Sequence, residues 1–225
     1  SYFVRLSMTN TNKGKLIVLD GIDGSGKATQ TKLLVERLRA GGKHVETLDF
    51  PQYDHNFFGG MVRQYLQGAF GDATQLNPRL ASILYAADRW ESSAKLKTWL
   101  DEGAIVILDR YVSSNLIHQS TKLEPDQLEP FVQWVEKMEF EVFGIPRPDQ
   151  IIFLHLPPEV SLELITQRGR GHDGHERLSH LAVAEQRALW LAQRHGWTTI
   201  SCIADGTLLP PEKIHEQIWE TAQKV

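Results

Sequence analysis

The stretch "KLIVLDGIDGSGKATQTKLLVERLRAGG" (15–42) decides the fold. Its first six residues form a short apolar run that reads as a strand buried on both faces. Further on, Thr31, Leu34, Val35 and Leu38 fall at i, i+3, i+4 and i+7, one face of a helix that Gly41-Gly42 stops. Between strand and helix lies "GIDGSGK" (21–27). A glycine-rich turn in that position converges backbone N–H groups and a helix N-terminus on one point, which is how a chain binds phosphate. Glycines 21, 24 and 26 allow close approach, and Lys27 can reach the outer phosphates. The pattern G-x-x-x-x-G-K-[ST] is met at Gly21, Gly26 and Lys27 but broken at Ala28, where a hydroxyl usually holds magnesium. A strand-to-helix turn with an incidental lysine is the competing reading, and the strand–turn–helix context speaks against it.

Outward from this unit the same alternation continues. Apolar runs at 44–50, 104–109, 150–156 and 197–203 supply four more strands. Helical patterns lie between them: 77–103, with an Asn cap, Pro at the first position and the stripe Leu80, Ile83, Leu84, Ala87; and 125–143, burying Leu128, Phe131, Val132, Val135 and Met138. Another helix follows Arg177 and a last one follows Pro210-Pro211. Trp134 and Phe140 lie off the main stripe and suit either a subunit interface or burial under another helix. Strands alternating with helices of this length predict an α/β fold, a doubly wound parallel five-stranded sheet. Residues 1–14 read as a leader or remnant, probed by Met8 as a plausible start, and 15–225 as one domain.

The bulk numbers agree. In 225 residues, 41% are hydrophobic and 23% charged, ordinary for a globular chain with a full core. A formal net charge of −4 argues against a nucleic-acid surface but not against nucleotides. Cys202 is the single cysteine, which points to a reducing, cytoplasmic location. No apolar run reaches the roughly 18 residues that a membrane span requires.

Three further stretches carry chemistry. "AIVILDR" (104–110) ends a strand in Asp109 and Arg110, at the sheet edge where ligands of open α/β sheets collect. Arg110 can pair bidentately with phosphate, although an Asp-Arg at a strand end is also a common structural ion pair. In "YAADRW" (85–90), Tyr85 and Arg89 are four apart on one helix face, fit to stack on a base and donate to its carbonyl or to pair with each other at the surface. "QRGRGHDGHER" (167–177) is glycine-spaced and carries Arg168, Arg170 and Arg177, the composition of a closing lid. A solvated loop, or a zinc site on His172 and His175, would use the same residues.

Taken in order, "DGIDGSGK", "FPQY" (50–53), "AADRWE" (86–91), "DRYVSSN" (109–115) and "RGRGHDGHE" (168–176) resemble the thymidylate kinases from about Lys15 to the C-terminus. The resemblance implies a P-loop nucleoside monophosphate kinase fold, a homodimer, and transfer of the γ-phosphoryl group of ATP to dTMP with Mg2+. It implies ATP binding by Gly21, Ile22, Asp23, Gly24, Ser25, Gly26, Lys27, Ala28 and Thr29. Asp23 would face the acceptor's 3′-hydroxyl and the metal, Phe50 and Tyr53 would line the acceptor phosphate site, and Arg110 would grip that phosphate. Arg89 would address thymine with Tyr85 beside it, and Ser114, Asn115 and Gln119 would complete the pocket. Since positions 24 and 25 are Gly and Ser, the chain resembles the bacterial-like subtype that takes its catalytic arginine from the lid, Arg168 or Arg170, alongside Lys27 and Arg110. His118 departs from a frequent tyrosine that crowds the 2′ side of the sugar.

Thr29 cannot replace a hydroxyl at 28, because one helical residue turns a side chain by about 100°. The metal is therefore expected on Asp23, Asp173 and Glu176 with phosphate oxygens and water, and Asp109 as an outer partner or a support for Lys27. The rival readings are a kinase for another deoxynucleotide or deoxynucleoside, and a nucleotide-dependent switch or partitioning ATPase. A guanine-nucleotide switch would carry N-K-x-D, and a partitioning ATPase an early second lysine; neither is present.

Overall fold

Residues 13–167 and 174–225 are described by a computed structural model, with side chains 174–177 left aside. Four expected site residues, Arg168, Arg170, Asp173 and the side chain of Glu176, lie outside the described residues, as do positions 1–12 of the expected leader. Gly14 is already tied in: its N–H donates to Leu100 O at 2.8 Å.

The elements follow as β1 (Lys15–Gly21), α1 (Lys27–Ala40), β2 (Val45–Asp49), α2 (Phe57–Leu66), α3 (Pro78–Glu91), α4 (Ser93–Asp101), β3 (Ile105–Asp109) and α5 (Val112–Ser120). Then come α6 (Leu128–Glu136), β4 (Gln150–His155), α7 (Pro158–Gln167), α8 (Gly174–His195), β5 (Thr198–Ser201), the short pair β6 (Ile203–Ala204) and β7 (Thr207–Leu208), and α9 (Pro211–Ala222). Strands β1 to β5 make one parallel sheet in the order β2-β3-β1-β4-β5. Successive side chains of β1 point to opposite faces. Leu16 and Val18 join Leu116, Phe131, Val132 and Leu191 on one side; Ile17 and Leu19 join Leu34, Leu38, Ile214 and Ile218 on the other. Helices cover both faces, so the strands are apolar throughout and the doubly wound reading holds.

Register decides where the ligand-binding loops emerge. Leu19 lies beside Asp109, and Asp109 beside Asp49, so β1, β3 and β2 end in one row. Gly21, Arg110 and Phe50 therefore leave the sheet together at its C-terminal edge. Among the described residues, no helix is long and apolar enough to cross a membrane.

Several local expectations change. The run 197–203 is not one strand: β5 stops at Ser201, whose Oγ donates to Ile203 O, and Ile203 begins a hairpin instead. The helix expected over 77–103 is two, α3 and α4, meeting at Ser92. Asn77 caps α3 as expected, accepting from Arg79 N at 2.9 Å. The expected stripe of α3 holds only in part: Ala87 is buried and Leu84 half-buried, but its other two members are not. Leu80 is 56% exposed and Ile83 39%, whereas Ala81, Ser82, Ala86, Asp88 and Arg89 are buried. Amphipathicity alone cannot choose the inner face when neighbouring polar groups satisfy buried Ser, Asp and Arg. The stripe of 125–143 is buried as expected, but the segment opens with a 3-10 turn and closes in a π-helical stretch, Lys137–Val142. Trp134 and Phe140 are half-buried against the core. Helices α2 and α5, at ten and nine residues, were not foreseen.

Candidate active site

The loop between β1 and α1 is shaped by its glycines. Gly24 and Gly26 sit at φ 85° and 82°, left-handed conformations that side chains resist. At Gly21 a Cβ would stand 2.8 Å from Leu154 O, so the loop also packs too closely on β4 for any other residue. Ser161 of α7 donates its hydroxyl to Asp23 O and fastens the loop from that side. Lys27 is buried and donates to Gly21 O at 2.9 Å and Ile22 O at 3.0 Å. Burial, and then the charge of Arg110, lower its pKa to about 8. Ser25 Oγ and Asp109 Oδ1 are buried with no hydrogen-bond partner among the described residues.

Asp20, the last residue of β1 but one, was not singled out by sequence reasoning. It is fully buried and accepts from Ser113 Oγ at 2.5 Å, from Ser114 Oγ at 2.9 Å and from Gly21 N at 2.8 Å. This one carboxylate ties the phosphate-type loop to the first turn of α5. Arg110 stands between them with φ 68°, and its N–H donates to Leu19 O at 3.0 Å. A non-glycine residue in this region stores strain, on the order of 1–3 kcal/mol, which the surrounding bonds must hold.

The Arg110 guanidinium is gripped on three sides. Nη2 donates to Asp23 Oδ1 at 2.6 Å; Nη1 donates to Ser114 Oγ at 3.3 Å and to His118 Nε2 at 3.1 Å. Guanidinium nitrogens only donate, so His118 Nε2 accepts and its ring is neutral with the proton on Nδ1. Burial and then Arg110 push the His118 pKa down to about 4, which agrees. Burial works to raise the pKa of Asp23, but the positive groups around it, Arg110 first, together outweigh burial and hold this half-exposed carboxyl well below the usual range.

Above Arg110 the chain encloses a cavity of about 310 Å3. Asp23 comes to it from the loop; Phe50 and Tyr53 from the segment after β2; Tyr85 and Arg89 from α3; Arg110, Ser114, Asn115 and Gln119 from β3 and α5. All nine residues named from sequence as acceptor contacts are thus brought together. Pro51, Leu66, Tyr111 and His118 line it too.

Arg89 is no surface partner of Tyr85. It is 2% exposed, and its Nε and Nη2 meet the two carboxylate oxygens of Glu139 at 2.6 and 2.5 Å. The same carboxylate accepts from Asn115 Nδ2 at 3.2 Å. Sequence reasoning missed Glu139, although a signal existed. It lies four residues after Val135, on the buried face of the 125–143 pattern, and a carboxylate there must be paired.

The arrangement is a phosphate-type loop on one side of Arg110 and a pocket lined by aromatic and polar side chains on the other. It suits transfer of a phosphoryl group between two bound molecules. A family model described as "Thymidylate kinase" matches residues 19–218. The thymidylate kinase of Schizosaccharomyces pombe is 30% identical over 224 residues, covering 97% of this chain and 96% of the relative. The human thymidylate kinase is 31% identical, with 92% and 88% covered. A solved thymidylate kinase from Candida albicans superposes with TM-score 0.71 at 24% identity, covering 94% of this chain and 92% of that one, a likeness of fold.

Proposed function

We propose, from the premise that this chain belongs to the thymidylate kinase family and transfers the γ-phosphoryl group of ATP to dTMP, that the cavity above Arg110 is the dTMP site and the 21–29 loop the ATP site. The observation that carries this is the placement of Arg110. It borders the cavity, reaches the loop through Asp23, and is fixed by Ser114 and His118.

In this reading the acceptor phosphate lies against Arg110, between Phe50 and Tyr53, and the sugar 3′-hydroxyl lies near Asp23. Ser114 and Gln119 close the pocket around the sugar and base. Gly21, Ile22, Gly24, Ser25, Gly26, Ala28 and Thr29 offer backbone to the ATP phosphates, and Lys27 turns from Gly21 O and Ile22 O toward them. An oxygen of the acceptor phosphate attacks the γ-phosphorus, the bond to the β-phosphate oxygen breaks, and ADP leaves. Because Gly24 and Ser25 offer no guanidinium, Arg168 or Arg170 of the 167–177 lid neutralises the charge that develops.

Magnesium fits the carboxylates near the loop: Asp109 keeps a buried oxygen without a hydrogen-bond partner among the described residues, and Asp23 is half-exposed in the loop. Asp23, with Asp173 and Glu176 from the lid, would hold the ion, which would supply charge for the transferring group. Ala28 offers it no ligand.

The exposed outer face of α3, with Leu80, Ile83 and Trp90 at 56%, 39% and 50%, suits the expected homodimer. We place the enzyme, with its single buried Cys202, in the cytoplasm, as one 15–225 domain that binds neither nucleic acid nor membrane.

A coupled assay of ADP release against several monophosphates tests the site assignment. dTMP is expected to be best, with dUMP weaker by about 1–3 kcal/mol for its missing methyl group. Equal turnover of dCMP or dGMP would remove the base-pocket reading. Replacing Arg168 and Arg170 singly by Ala is expected to lower kcat on the order of 10²-fold in one variant with a smaller change in dTMP KM. An unchanged kcat in both would move the role to Arg177.

A further inference from the structure

Glu139 is a fully buried carboxylate that nothing in the phosphoryl-transfer scheme uses. It accepts three N–H groups from two residues of the dTMP pocket: Arg89 Nε at 2.6 Å, Arg89 Nη2 at 2.5 Å and Asn115 Nδ2 at 3.2 Å. A side-chain amide can stand either way round, and an environment fixes it by what it offers. Here Asn115 meets acceptors only on one side, Glu139 Oε1 and Ser82 O, both at 3.2 Å. Its NH2 must point there. Oδ1 is left buried, without a donor among the described residues, in a residue that lines the cavity.

The same carboxylate sets the other half of the pocket. With Nε and one edge of Nη2 engaged, Arg89 has its Nη1 hydrogens without a protein acceptor among the described residues. The pocket then presents a fixed donor from Arg89 and a fixed acceptor from Asn115. Thymine offers the complement, a carbonyl oxygen at position 4 beside an N–H at position 3. Cytosine offers the reverse, an amino group beside a bare ring nitrogen, and would set donor on donor and acceptor on acceptor.

We propose that Glu139 is the positioning residue that sets base specificity: it locks Arg89 as donor and Asn115 as acceptor, and so excludes cytosine. It stands on the π-helical stretch Lys137–Val142, within reach of Arg89 on α3 and of Asn115 on α5. An acceptor-only group is required. A glutamine has one acceptor oxygen for three donors; with that oxygen on Arg89 Nε, its own NH2 faces Arg89 Nη2 and Asn115 Nδ2, and Ser82 O alone is left to hold the Asn115 amide one way round. The acceptor is then no longer fixed toward the cavity, and discrimination against cytosine weakens.

This inference rests on the cavity being the dTMP site, and the unmodified enzyme tests that premise separately by its preference for dTMP over dCMP. Given that preference, Glu139→Gln is expected to lower the ratio of kcat/KM for dTMP to that for dCMP by about tenfold or more, with KM for ATP unmoved. An unchanged ratio, including an equal loss with both substrates, overturns the proposal, since a merely structural defect would weaken both alike. Thermal unfolding shows whether this variant is folded. If it is not, Glu139→Asp decides: it keeps an acceptor-only group at a shorter reach, and KM for dTMP is expected to rise several-fold with the dTMP preference retained. A KM for dTMP equal to that of the unmodified enzyme would overturn the proposal.

Discussion

The two halves of the site are held in different ways. On the acceptor side the charged groups are locked to one another by side chains: Arg89 to Glu139, Arg110 to Asp23, Ser114 and His118. On the donor side, among the described residues, Lys27 bonds only to two backbone carbonyls of its own loop, and Ser25 Oγ has no partner. The first half is built for recognition, in which a donor misplaced by an ångström costs selectivity. In the proposed ATP site the second half has a backbone cradle and a lysine that would exchange two carbonyl oxygens for phosphate oxygens. Recognition and stability are therefore entangled in the acceptor pocket and separable in the loop.

Arg89→Met is expected to show the largest effect, because it leaves Glu139 charged, buried and unpaired. A loss of about 3–5 kcal/mol of folding stability follows from breaking such a pair. For a domain of this size that lowers the thermal midpoint by about 6–20 °C. Adding Glu139→Leu should return much of the stability without returning dTMP affinity; a single variant as stable as the native enzyme would break the comparison.

Lys27→Met sharpens it from the other side. Removal of a charge aimed at the transferring group should lower kcat on the order of 10²–10³-fold, about 2.7–4 kcal/mol. KM for dTMP should barely move, since no bond of the acceptor pocket runs through Lys27. Steady-state kinetics with dTMP varied separates the two outcomes, and a dTMP KM that rose with the fall in kcat would show the halves to be coupled.

The smallest effect is one of pH. The folded His118 resists protonation down to about 4, whereas the unfolded chain takes up that proton below about 6.5. Between these values the unfolded state binds more protons, so stability falls as pH falls. His118→Asn lacks this component, and its thermal midpoint should drop less than that of the native enzyme between pH 7.5 and 5, a difference on the order of 1–2 kcal/mol. Parallel midpoints would mean that His118 is not held neutral against Arg110.

Much of this was legible in the residues. The loop, the strand before it and the helix after it are neighbours in the chain, so spacing alone locates Gly21, Lys27 and the stripe Thr31, Leu34, Val35, Leu38. Half of the α3 stripe failed for the opposite reason. Leu80 and Ile83 look like core by periodicity, yet the buried face carries Ser82, Asp88 and Arg89, because partners elsewhere satisfy them: Glu139 for Arg89, and Gln52 N and Asn56 for Asp88. Short helices such as α5, with polar residues facing a pocket, show too little apolar period to be seen.

The sequence by itself determined the alternating α/β order and the phosphate-type loop with its alanine at 28, which depend on local period, on glycine where φ must be positive, and on motifs whose members lie close in the chain. The nine residues that gather at the cavity were named through the resemblance to the thymidylate kinases. Only the tertiary structure decided what those residues do to one another. Asp20 meets Ser113 and Ser114 across 93 and 94 positions, Asp23 meets Arg110 across 87, and Arg89 meets Glu139 across 50. A buried charge must find its counter-charge wherever the folded chain brings one, and sequence spacing carries no record of that distance.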